Sequence, residues 1–259
     1  MKKNIYNDII IKRISLFKKK GMVKNMDIKM NYIEKGEGFP FVLLHGNGES
    51  SEYFKSQIEY FATKYRVIAL DTRGHGKTPR GEKPFTLKQF AEDLKDFLDE
   101  LEISKAIILG FSDGANIAML FALRYANYVD KLILNGGDLN TKGVKSCYQI
   151  PIHIGYIMTL FISKFNKKAV KNNEMLSLMI NQPNISPKEL EKISIPVLVI
   201  AGTKDMIKES HTILIHKSIK NSELCIIEGD HFIANKQSKQ FNDNIKNFLE
   251  NVQKTTKVD

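Results

Sequence analysis

Short, unbroken apolar runs constrain this chain more than any other feature: residues 41–44 (FVLL), 67–70 (VIAL), 106–109 (AIIL), 132–134 (LIL) and 197–200 (VLVI). A strand with one wet face alternates apolar and polar side chains, so an uninterrupted apolar run requires cover on both faces. Residues 224–227 (LCII) make a sixth such run. Between the runs lie helix-length segments, at 52–65, 87–101, 115–125, 208–219 and 237–252. Strand and helix in alternation predict an α/β fold with a mostly parallel sheet. Residues 26–34 (MDIKMNYIE) alternate instead, as a strand with one solvated face does.

At 259 residues the chain is long enough for one large core with an insertion. Thr86 and Gln89 form a T-x-x-Q capping box ahead of Leu87, Phe90, Leu94, Phe97, Leu98 and Leu101, an apolar stripe at helical spacing. From about 140 to 190 the rhythm breaks into two Met-rich apolar segments and a turn-rich QPNISP, which predicts an inserted helical cap. The expected organisation is a basic extension over 1–25, a core over 26–139 and 191–259, and a cap over 140–190. Met158, Met175 and Met179 are candidates for lining an adaptable pocket, or else ordinary packing within that cap.

The formal charge of +10 is local. Residues 1–29 hold nine of the 39 Lys/Arg and two of the 29 Asp/Glu, leaving 30 against 27 for the rest of the chain. A nearly balanced body offers no cationic face for nucleic acid. Cys147 and Cys225 form no C-x-x-C or Cys/His cluster, so neither a disulfide framework nor a zinc site is expected, and a reduced, cytoplasmic setting fits. The basic leader has too short an apolar run for a secretory signal, and residues 150–161 fall short of the about 20 residues a membrane span needs. No stable membrane insertion is expected. Ile10, Ile14 and Phe17 would share one face of a helix, so the leader is either an amphipathic segment for an anionic surface or a frayed terminus.

Residues 110–114 read Gly-Phe-Ser-Asp-Gly, a G-x-S-x-G between an apolar strand run and the helix-forming ANIAMLFALRYA. A serine on such a strand-to-helix turn is lifted clear of the sheet, and flanking glycines leave room where a Cβ would collide. Ser112 is the candidate nucleophile. A serine hydroxyl needs a base, and the base a partner that fixes its tautomer. Asp205 follows the 197–200 strand in AGTKD, and His231 follows the 224–227 strand in GDHF, so acid and base stand at the ends of two further strands. Backbone N–H groups of Asp113 and of Asn47, in the His45-Gly46-Asn47-Gly48 loop, are candidate donors to an oxyanion.

With HGNG at 45–48, DTRGHGKT at 71–78, GFSDG at 110–114, AGTKD at 201–205 and GDHF at 229–232, the chain resembles the α/β-hydrolase fold family over about residues 26–252. The resemblance implies an eight-stranded, mostly parallel sheet, a lid after the sixth strand and a Ser-His-Asp triad. Within the family, the GFSDG motif and the 205–231 stretch are most similar to the biphenyl-hydrolase-like serine esterases. That likeness implies hydrolysis of a small carboxylic ester, or a thioester, lactone or amide, through an acyl-enzyme on Ser112, with no cofactor and no metal. It also implies that Asp113 receives a cationic amine on the substrate. A ligand receptor on the same fold with slow turnover is the alternative, because fold and function separate. The oligomeric state stays open.

Competing assignments accompany these. Asp113 also suits a helix start, where the macrodipole favours a carboxylate. Asp138, after LILNGG, rivals Asp205 as the acid. His45 and His75 are expected to brace glycine-rich loops, His211 and His216 to lie on a helix surface, and His153 to belong to the cap. DTRGHGKT imitates a phosphate loop, and Gly46-x-Gly48-x-x-Ser51 with Asp71 imitates a dinucleotide fingerprint. The first lacks the leading glycine and runs into Pro79 and Pro84. In the second, Ser51 stands where the third glycine belongs.

Overall fold

The apolar runs form the middle of one eight-stranded sheet, of order β1-β2-β4-β3-β5-β6-β7-β8, in a computed structural model that describes residues 19–24 and 27–255. The strands are β1 (Lys19–Lys24), β2 (Lys29–Lys35), β3 (Pro40–Leu44), β4 (Arg66–Leu70), β5 (Ala106–Phe111), β6 (Val129–Asn135), β7 (Val197–Gly202) and β8 (Ser222–Ile227). β2 runs antiparallel to both of its neighbours, β1 and β4, and the other pairings are parallel. Helices alternate with them: α1 (Lys55–Phe61), α2 (Leu87–Glu100), α3 (Asp113–Arg124), α4 (Ser146–Ile162), α5 (Lys167–Asn181), α6 (Pro187–Leu190), α7 (Glu209–Ser218), α8 (Ile233–Lys236) and α9 (Ser238–Thr255).

Successive strand residues point to opposite faces, so each central run serves two cores. Val42, Leu44, Ile108 and Leu132 join Phe90, Leu94, Phe97, Met119 and Phe121 of α2 and α3. Phe41, Leu43, Leu109 and Ile133 join Phe54, Ile58, Phe241, Ile245 and Phe248 on the opposite face. Each such side chain taken from water stabilises the fold by about 1.5–3 kcal/mol before entropy is counted.

Three expectations change. The LCII run does not lie in a covered strand: β8 is the sheet's last strand, and Leu224 and Ile226 are exposed because only one neighbour flanks them. Thr86 caps α2 by accepting from the Gln89 N–H at 3.1 Å, but the Gln89 amide turns to Asp93 at 3.0 Å, so the box is half made. The sheet also takes in β1, which the sequence reading assigned to the basic extension; it pairs with β2 from Lys19 opposite Glu34 to Lys24 opposite Lys29. The amphipathic reading of Ile10, Ile14 and Phe17 lies outside the described residues.

Between β6 and β7 the chain leaves the sheet and forms α4 and α5. The insertion is tied to the body at several points, three of them through its second half. The Arg80 guanidinium pairs with Glu174 at 2.6 Å, the Gln182 side chain accepts from the Leu87 N–H at 2.9 Å, and Asn47 Nδ2 donates to the Met175 carbonyl at 2.9 Å. Two of the three anchors, Glu174 and Met175, lie on α5. No residue of α4 is fully buried.

Candidate active site

Ser112 sits between β5 and α3 with φ 54° and ψ −120°, a conformation a residue with a Cβ adopts only under constraint. The constraint comes from close packing on either side. A Cβ on Gly110 would lie 2.2 Å from the Gly114 carbonyl oxygen, and one on Gly114 would lie 2.0 Å from that of Leu44. The serine N–H donates to the Asn135 carbonyl at 2.8 Å, and its own carbonyl accepts from the Ala115 and Asn116 N–H groups, which starts α3. The turn presents Ser112 to a cleft that Asp113, Asp138, Ile152, Met179 and Met206 also line.

His231 follows β8, and its Nδ1 lies 2.7 Å from Asp205 Oδ1. The same Asp205 oxygen accepts from the Ile207 N–H at 2.9 Å, which holds the carboxylate in place. Both residues are buried. The carboxylate fixes the proton on Nδ1 and leaves Nε2 as the basic nitrogen; Nε2 is buried and without a hydrogen-bond partner among the described residues. Phe111, the residue before Ser112, lies 4.8 Å from the imidazole, ring centre to ring centre. A Cβ on Gly136, directly after Asn135, would lie 2.8 Å from His231 Cε1. The serine turn, the end of β6 and the histidine are therefore packed against one another.

It is Asp205, not Asp138, that reaches the imidazole. Asp138 faces α3: it accepts from Asn116 Nδ2 at 2.8 Å, and its N–H donates to Asn116 Oδ1 at 2.9 Å. Asp113 is on the same side, accepting from Asn47 Nδ2 at 2.9 Å. Burial pushes both carboxyls up, Asp138 to about 7 against the Asn116 hydrogen bond that lowers it, with Asp113 adding repulsion. The folded protein thus keeps a proton on Asp138 that the unfolded chain has already released. Stability from this group is intact below about pH 4 and is lost as pH rises towards 7. Asp138→Asn should accordingly stabilise the protein by on the order of 1–3 kcal/mol at pH 8 and by almost nothing at pH 4, read from urea melts; equal effects at both pH values would contradict the raised carboxyl.

The HGNG loop is braced from below. His45 is buried and neutral, its pKa lowered to about 4 by burial and by His75. His45 Nδ1–H donates to the Gly46 carbonyl at 2.7 Å, while Nε2 accepts from the Thr72 N–H at 3.0 Å. Thr72 belongs to DTRGHGKT, whose Asp71 accepts from the Ser51 and Lys77 N–H groups and from Asn31 Nδ2. With these bonds Asp71 is a loop organiser rather than a ribose acceptor. No helix begins until Leu87, so the phosphate-loop likeness has no N-terminus behind it.

Some assignments do not survive. Met158 lies on the outer side of α4, exposed and away from the cleft. Met175 contributes its carbonyl to Asn47, and of the three Met residues only Met179 lines the cleft. His211 is not a surface residue, because its Nε2 accepts from the Leu139 N–H at 2.9 Å beneath the insertion. The sequence reading missed Met206, Ile152 and Gln149 on the cleft and Asn116 between the two carboxylates. It also missed Glu49, whose carboxyl is raised to about 7 by burial, and Tyr53, stacked 4.5 Å over Phe111. Only Glu49, directly after HGNG, carried any local signal.

A strained serine turn at the end of a parallel strand, with a buried acid–histidine pair at the ends of two later strands, defines the α/β-hydrolase class. The model of the α/β-hydrolase fold family matches residues 40–150, and the chain has the α/β-hydrolase fold. It is 27% identical over 252 residues to human serine hydrolase BPHL, covering 86% of this chain and 84% of that protein. It is 26% identical over 255 residues to 3-oxoadipate enol-lactonase 2 of Acinetobacter baylyi, covering 88% and 95%. Among solved structures, a meta-cleavage product hydrolase from Pseudomonas fluorescens IP01 superposes with a TM-score of 0.71 at 24% identity, over 87% of this chain and 95% of that one. The chain is accordingly an enzyme of the α/β-hydrolase type.

Proposed function

We propose that this enzyme hydrolyses small carboxylic esters through an acyl-enzyme on Ser112. The observation that carries the reading is the buried His231 Nε2, basic, without a protein partner and packed against the strained serine turn while Asp205 holds Nδ1. In the proposed cycle His231 Nε2 takes the Ser112 proton as Oγ bonds to the ester carbonyl carbon. The backbone N–H groups of Asp113 and Asn47 stabilise the oxyanion. The tetrahedral species collapses, the bond to the leaving alkoxide breaks, and that alkoxide takes the proton from His231. Water then adds to the acyl carbonyl under the same base, and Ser112 leaves with the proton returned to it.

The human relative is named a serine hydrolase and the bacterial one an enol-lactonase, which supports a serine mechanism and, from the second, the choice of an ester-type bond. Asp113 beside the serine favours an acyl part with a cationic group, and α4 and α5 act as the cap over the cleft. A fluorophosphonate probe should label Ser112, located by peptide mass, and an ester panel varied in acyl length and charge should give ordinary multiple turnover. Labelling at another residue, or ligand binding with no turnover, would reject the proposal; the latter is the receptor outcome.

Gly136→Ala tests the packing. With φ 62° the new Cβ is strained in itself and presses on His231 Cε1. Ester kcat/KM should fall about 10- to 100-fold, because a displacement of roughly 1 Å suffices for such a loss. An unchanged kcat/KM would mean that the imidazole position is not set there.

A further inference from the structure

The outer face of α4 is an apolar stripe with nothing described over it. Ile150, Ile154, Ile157 and Phe161 recur at helical spacing, each more than half exposed, and the stripe continues to Phe165 at 82% just beyond the helix. Soluble surfaces seldom leave so many large apolar side chains contiguous without a use. The helix is held from its other side only, where Asn173 Nδ2 donates to the Tyr156 carbonyl at 3.0 Å and Leu176 packs against Gly155.

The charge around the stripe identifies what it meets. Between Asp138 and Glu174 the sequence has six lysines and no Asp or Glu; Lys145 turns its ammonium to the Asp205 carbonyl and Lys171 lies near His75, while Lys142 and Lys164 are exposed. The Lys164 ammonium lies 5.8 Å from the centre of the Phe161 ring, and Phe161 and Phe165 are 6.1 Å apart, edge to face. Apolar stripe, terminal aromatics and a wholly cationic border are the features of a helix that lies in a membrane interface, its apolar side among acyl chains and its lysines among headgroups. No helix among the described residues is long and apolar enough to cross a membrane, so a surface-lying arrangement is the one that fits. The competing occupants have the wrong sign. A second copy would set lysine border against lysine border. Residues 1–18 bring Lys2, Lys3, Lys12, Arg13 and Lys18 against a single Asp8.

We propose that α4 docks this protein on anionic phospholipid surfaces through the Ile150–Phe165 stripe and its lysine border. Gln149 and Ile152, on the inner side of the same helix, line the cleft beside Ser112, so docking brings the cleft wall to headgroup level. The docking surface does not depend on the serine chemistry.

Flotation of the full chain with phosphatidylcholine vesicles, with and without phosphatidylglycerol, tests this. Binding should require phosphatidylglycerol and weaken with salt. Ile154→Ser/Ile157→Ser/Phe161→Ser should lower the partition coefficient about tenfold or more. Lys142→Glu/Lys164→Glu, which leaves the stripe untouched and so guards against a folding artefact, should do likewise. Turnover of a water-soluble ester should be unchanged in both. Three results would each overturn the proposal. One is no flotation with phosphatidylglycerol vesicles. Another is binding abolished by Ile10→Ser/Ile14→Ser/Phe17→Ser but kept by both α4 variants, which assigns it to the leader. The third is a dimer dispersed by the serine variant without vesicle binding, which assigns the stripe to a second copy.

Discussion

Ser112→Ala is expected to cut ester turnover by about 10⁴- to 10⁶-fold, while the melting temperature changes little. The loss is large because the alcohol, the imidazole and the carboxylate act as one unit: without Oγ there is no acyl-enzyme, and what survives is water attack assisted by the oxyanion donors alone. Stability should be spared because Ser112 is held through its backbone N–H and carbonyl, which alanine keeps. Asp205→Asn probes the same unit from its far end. The amide carries no charge to stabilise the imidazolium, and with its NH2 turned to Nδ1 it gives up the Ile207 N–H and favours the wrong tautomer of His231, so a loss of about 10³- to 10⁴-fold is expected. Steady-state rates on p-nitrophenyl acetate decide both. Activity of the Ser112 variant near that of the parent would end the serine mechanism, and an unaffected Asp205 variant would detach the carboxylate from it.

The second large effect is on stability. Arg73, in the loop after β4, is wholly buried. Its Nε and Nη2 donate to the two oxygens of buried Asp93 at 2.7 Å each, and its Nη1 meets Asp27 and the Arg80 carbonyl. A guanidinium removed from water in this way depends on every one of those acceptors. Asp93→Ala should lower the unfolding free energy by about 3–5 kcal/mol, because it strands a buried charge. For a chain of this size that is roughly a 6–20 °C fall in melting temperature. Arg73→Met/Asp93→Leu, which removes both charges and keeps the volume, should recover much of the loss. Calorimetry on the two variants separates the outcomes; a double variant as unstable as Asp93→Ala would show that the ion pair was not the cause. The loop so held is the one whose Thr72 braces His45 beneath Asn47, which links this network to the oxyanion loop.

How much of this was legible differs by element. The central strands could be read because burial on two faces leaves no room for a polar residue in the run, and that requirement is local. Ser112 could be read because its turn needs small neighbours at fixed spacing on either side. Asp205 and His231 were legible by their places at strand ends. Asp205 was preferred to Asp138 from the order of serine, acid and histidine along the chain, while the direction that each carboxylate takes was not legible, since both follow apolar strands and both are buried. The exposure of β8 escaped because LCII reads as a covered strand unless one knows that β8 is last in the sheet. Of the three candidate methionines, only Met179 lines the cleft, because composition does not say which side of a helix a neighbour will cover.

The sequence by itself determined the alternation of strand and helix, the position of the strained serine and the order of its partners along the chain. All of these follow from periodicity and steric needs within a few residues. Tertiary structure alone decided which carboxylate meets the imidazole, how Asn116 joins Asp113 to Asp138, and that α4 turns its isoleucines outward. Those outcomes depend on side chains brought together from distant segments, where hydrogen-bond geometry and water exclusion act across space rather than along the chain.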